Sequence, residues 1–148
     1  MKVCQVALSE LESMLGGLNY VPSFQLTWAP LIPGCKPEEY ISAALSPGAV
    51  IGAVTKAEGP EVLAEVEGCL RYVGDHGHGP PPEALQSPRF EELVARVMAY
   101  LADAVEKAAA VRAFWLSAGH PFYPVFWDFA YLLVGPDGAV VFIGSSSD

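Results

Sequence analysis

Three small groups of residues have types and spacings that could do chemistry. Asp75, His76 and His78 stand around Gly77 in a glycine loop. Two imidazoles two residues apart can reach one ion if the backbone is extended, but a working site needs a third or fourth ligand, and structural zinc uses Cys or His pairs at spacings that are absent here. The plainer reading is a solvated glycine loop, so no metal and no cofactor is expected. Cys35 precedes Lys36 and Pro37 at the start of an expected helix. The helix dipole and the adjacent ammonium would both lower a thiol pKa, as thiolate nucleophiles require. A small thiol enzyme would then use His120 as base, the histidine that lies outside the glycine loop. Asp128 interrupts the apolar run Phe126, Trp127, Phe129, and a carboxylate there could pair with His120 as an acid–base couple. The competing readings are a half-buried loop cysteine and a polar position on a strand. No dinucleotide or phosphate-binding glycine pattern occurs, nor a nucleophile elbow or a His-Glu-x-x-His zinc motif. The balance is against an enzyme.

The elements that would position these groups follow from the apolar spacing. Val3, Ala7, Leu11, Met14 and Leu15 share one helical face, closed by Gly16 and Gly17. From Tyr20 to Trp28 the period changes to two, which predicts a half-buried strand that Pro30 and Pro33 stop. Pro37 opens a short helix with Glu38 and Glu39 at its positive end, and Ala49–Thr55 reads as a second strand. Gly59, Pro60 and Glu61 start a third helix, with Val62, Leu63, Val66, Leu70 and Val73 inward. Residues 74–82 read as a turn entering a short polyproline segment. Ser87 and Pro88 start a long helix whose stripe runs from Phe90 through Leu93, Val97, Leu101 and Val105 to Val111, with Gly119 and Pro121 as its stop. Phe126–Val134 and Ala139–Ile143 flank a Gly135–Gly138 turn and predict a C-terminal β-hairpin. The expected fold is α+β, one domain over residues 1–148, with about four helices packed on a small, mainly antiparallel sheet.

Composition narrows the function. The chain has 148 residues, 52% hydrophobic and 17% charged, with a formal net charge of −9. Such a chain can bury a core without staples. The basic residues never cluster, so binding to nucleic acid through phosphate neutralisation is not expected. No apolar run is long enough to span a membrane and no secretory leader is apparent. Three cysteines without a close pair fit reduced thiols, and a cytoplasmic location is expected. Residues 58–107 hold ten acidic and four basic side chains, so most of the negative charge lies on two central helices. Such a face would steer a basic protein partner. Glu61, Glu65, Asp75, Glu91 and Glu92 are the charges expected on it. Phe122 and Tyr123, between Pro121 and Pro124, form a rigid aromatic loop of the kind that anchors interfaces.

The stretch from His120 to Tyr131, followed by Gly138 to Asp148, resembles small bacterial immunity proteins. Those are cytoplasmic, often acidic, single-domain inhibitors of a cognate toxin. The resemblance implies tight binding of a basic toxin domain without turnover, and it carries over no residue-level site.

Overall fold

The computed structural model describes every residue except Leu18 and His76. The elements in chain order are α1 (Lys2–Leu15), β1 (Val21–Pro30), α2 (Pro37–Ala44), β2 (Val50–Lys56), α3 (Gly59–Leu70), α4 (Pro82–Leu85), α5 (Pro88–Lys107), β3 (Ala110–Ala118), β4 (Trp127–Val134) and β5 (Gly138–Ser147). The strands form one sheet in the order β1-β5-β4-β3-β2, with every neighbouring pair antiparallel. The fold is α+β, and β4 and β5 form the C-terminal hairpin, closed by a hydrogen bond from Gly135 N–H to Gly138 C=O.

Alternation along the strands gives the sheet two apolar faces. Phe129, Tyr131 and Leu133 of β4 and Val140 and Phe142 of β5 meet the stripe Leu93, Val97 and Leu101 of α5, with α1 and α3 alongside. Leu132, Val141 and Ile143 point the other way, onto Tyr40 and Ile41 of α2. The Gln25 side chain fastens α2 by donating to Ala44 C=O at 2.9 Å. Ser87 caps α5 by accepting from Phe90 N–H at 3.2 Å, a contact that satisfies one of the orphan donors of the first turn.

Four local expectations change. The long helix ends at Lys107 and does not continue through Val111, because residues 110–118 form β3. There, Val111 and Ala113 face the helices, and Phe114 and Leu116 face α2. Val111 fits a helical stripe and a strand alternation equally well; pairing with both β2 and β4 decides the matter. The proline segment contains a one-turn helix, α4, with Pro82 at its first position, where a missing N–H costs no bond. On α1 the buried face is Cys4, Ala7, Leu8, Leu11 and Leu15, and Val3 is 66% exposed. Val73 lies beyond the end of α3 and is exposed.

The two outer strands are finished differently. On β1 the Gln5 side chain donates to Leu26 C=O at 3.0 Å, and Glu12 of α1 lies beside Phe24. Residues of that parity therefore turn their backbone groups away from β5. Pro22 and Pro30 share it, so their missing N–H groups remove no ladder bond. α1 thus covers this edge.

The register also places Ser23, Ser145 and Asp128 side by side across β1, β5 and β4. Among the described residues no hydrogen-bond partner reaches the buried Ser145 hydroxyl. Because an unpaired buried hydroxyl costs its desolvation, Ser145→Ala should leave the melting temperature unchanged or raise it. A clear fall in thermal denaturation would mean that the hydroxyl has a partner.

Candidate binding surface

The acidic helices carry less free charge than their composition suggests. Arg71 donates from Nε to Glu67 at 2.8 Å and from its two terminal nitrogens to both oxygens of Glu91 at 2.8 and 2.9 Å. Arg89 holds both oxygens of Glu10 at 2.6 and 2.7 Å and also reaches Glu92 at 3.1 Å. Arg96 pairs with Glu92 at 2.7 Å and Lys107 with Asp103 at 3.0 Å. These contacts hold the Glu10 and Glu91 carboxyls below their ordinary pKa, through the hydrogen bonds from Arg89 and Arg71. Of the expected partner-binding acids, Glu91 and Glu92 are therefore exposed but already neutralised across the α1–α5–α3 surface.

Glu61 and Glu65 are different. Among the described residues no ion pair reaches them or Glu58, the N-cap residue of α3, and the three recur at helical spacing on one flank of that helix. Glu65 accepts the Tyr131 hydroxyl at 2.7 Å, which fixes that side of α3 over β4. Burial, then Glu65, push the Tyr131 phenol above its ordinary range. Asp75 stands apart in the loop after α3, where its carbonyl accepts the His78 N–H at 3.0 Å.

Beside this stripe the sheet opens. β3 pairs with β4 only from Ala110 to Ala113, opposite Val134 to Tyr131, and then follows β2 to Ala118. Trp115 shares the parity of Val111 and Ala113, so it lies on the helix-bearing face, yet it is 57% exposed. Its ring lies across Gly52, where a Cβ would stand only 2.5 Å from the indole. The register shifts at that point, so a bulge places Gly52 and Ala53 opposite one tryptophan. An exposed indole therefore stands where β3 leaves β4, on the same face of the sheet as α3, two residues along β3 from Ala113, whose β4 partner Tyr131 bonds to Glu65.

The aromatic loop divides. Phe122 is half-buried and packs against the α2-side cluster, and its N–H donates to His120 Nδ1 at 3.0 Å. Tyr123 is 75% exposed. Among the described residues no hydrogen bond or ion pair joins His120 to Asp128; Asp128 is exposed at the start of β4. Cys35 is a half-buried loop cysteine, and desolvation, then Glu39, raise its thiol pKa. Burial also pushes Cys4 up to about 11 and Cys69 up to about 12. Alkylation by iodoacetamide at neutral pH should therefore be slower at Cys35 than at a free cysteine, and slower still at Cys4 and Cys69; mass spectrometry showing a fast Cys35 would restore the nucleophile. His76 of the proposed ligand pair lies outside the described residues. His78 and Asp75 are exposed, and among the described residues no three His, Cys, Asp or Glu side chains converge as an ion would need.

Sequence reasoning reached Glu61 and Glu65 through charge, and missed Glu58 and Trp115. The signal for Trp115 was the alternation from Val111 to Leu116 together with a glycine in the facing strand. No family model, curated protein or solved structure matches this chain. No described helix is long and apolar enough to cross a membrane.

Proposed function

We propose that the protein is a non-catalytic binding protein, and most specifically an immunity protein that neutralises a cognate bacterial toxin in the cytoplasm. The observation that carries this reading is the unpaired stripe Glu58, Glu61 and Glu65 beside the exposed Trp115. An uncompensated acidic rim raises the rate of encounter with a basic surface, and a large aromatic side chain is the commonest kind of interface anchor. Tyr123, exposed on its loop, extends the same chemistry. The resemblance of residues 120–131 and 138–148 to immunity proteins supplies the class of partner, a basic toxin domain.

The test is to recover the partner from the native host, identify it by mass spectrometry, and titrate its activity with the purified protein. Stoichiometric inhibition of a basic toxin is the expected result. A partner that has no toxic activity, or whose activity is unaffected, removes the immunity reading.

A further inference from the structure

β2 closes the sheet on the side opposite β1, and its outer edge is bare. Ala57 N–H donates inward to Val111 C=O at 3.1 Å, and Thr55 stands opposite Ala113. Ala57, Thr55 and Ala53 therefore turn their backbone groups toward β3, and Lys56 and Val54 turn theirs outward. Among the described residues no backbone or side-chain group bonds to those outward positions. This side lacks the prolines and the Gln5 contact that blunt the edge of β1; among its described residues the blunting features are Lys56 and the bulge at Gly52, and they leave the Val54 and Lys56 backbone groups open.

The bulge gives this edge a feature of its own. With no side chain at Gly52, the Trp115 ring reaches across β2 from the neighbouring strand. A strand laid along β2 would meet the exposed indole on the helix-bearing face. Glu58, the N-cap of α3, follows two residues after β2 ends, and Glu61 stands one turn further on in the helix.

We propose that the outer edge of β2 accepts an extended segment of a basic partner protein as a sixth strand. Its alternate side chains would be Lys or Arg, lying over Trp115 and toward Glu58 and Glu61. This rests on the binding reading above and supplies its geometry: backbone hydrogen bonds give affinity, and alternate side chains give selectivity. A cation over the indole adds an attraction that a neutral side chain lacks. A second copy of this chain fits the edge poorly, because edge-to-edge pairing would bring two α3 acidic stripes to one seam.

The test uses the full chain and a ten-residue peptide alternating arginine with valine, followed by NMR amide shifts and tryptophan fluorescence. The expected result is shifts centred on Gly52, Val54 and Lys56 with a change at Trp115. A copy of the peptide N-methylated on its edge-facing amides should bind roughly tenfold more weakly or worse, since each lost backbone bond counts. Lys56→Pro should weaken binding of the parent peptide by a similar factor, and Lys56→Gln should change it by less than about twofold. The proline removes an outward N–H and no ladder bond, as Pro22 and Pro30 do on β1; should it fail to fold, the N-methylated peptide decides alone. Equal binding of the N-methylated and parent peptides, or shifts confined to α3, would overturn strand addition while leaving the acidic surface as a binding site. Equal binding of a glutamate–valine peptide would overturn the basic partner and the binding reading with it. A dimer that forms without peptide and is dissolved by Lys56→Pro would assign the edge to a second copy and overturn the proposal.

Discussion

Phe142→Ala should destabilise the protein by about 3–5 kcal/mol, and Leu101→Ala by about 2–5 kcal/mol, in denaturant unfolding. Phe142 is 1% exposed on β5, in register with Leu26 of β1 and Tyr131 of β4, and its ring meets Phe129 edge-on at 4.9 Å. Truncating it removes the transfer free energy of a large apolar side chain and leaves a void that the neighbouring strands cannot close without breaking ladder bonds. Leu101 occupies the same cluster from α5. A domain of this kind is stable by about 5–15 kcal/mol in all, so either substitution should lower the denaturation midpoint visibly. An unchanged midpoint for both would mean that the sheet and α5 do not share a core.

The parts of the fold that were legible in the sequence are those specified within a single element. β1 shows its period of two from Tyr20 to Trp28. The hairpin shows two β-prone runs around Gly135–Gly138, and α5 announces itself with Ser87 and Pro88. β3 was not legible. Residues 108–118 are apolar enough to extend the helical stripe, and what makes them a strand is pairing with β2, 58 residues away at the Thr55–Ala113 contact. The error of one position on α1 has a similar origin. Val3 and Cys4 are both apolar, and the packing of α1 against α5 and the β1 edge decides which one is buried.

The site was half legible for the same reason. Charge composition placed the acids on the central helices, but their free charge depends on arginines from other elements. Glu10 meets Arg89 across 79 residues, and Glu91 meets Arg71 across 20. No local pattern distinguishes Glu91, which is neutralised, from Glu61, which is not. Trp115 looked like one more core aromatic in a crowded segment. Its exposure follows only once β3 leaves β4 and Gly52 makes room for the ring.

Charge reversal separates the two kinds of acid. Replacing Glu58, Glu61 and Glu65 together by lysine should slow association with the basic partner by roughly tenfold or more at low salt, with the difference shrinking as ionic strength rises, because exposed charges act at a distance that salt screens. Stopped-flow association at several salt concentrations measures this. The three positions lie off the buried stripe Val62, Val66 and Leu70. Glu65 does lose its bond from Tyr131, so the Glu58, Glu61 double variant is the cleaner comparison; its lysines oppose the positive end of α3 and should lower the melting temperature slightly, which a melting curve corrects for. Reversing Glu91 and Glu92 has a different consequence. It places lysines against Arg71, Arg89 and Arg96, so its main effect should be a lower melting temperature, with a smaller change in association rate. Substituting Trp115 with alanine should chiefly speed dissociation, since a packed anchor is lost only after the encounter is made. If the paired and unpaired acids slowed association equally, the partner would be reading the total charge of the helices, and the stripe beside Trp115 would have no special place in recognition.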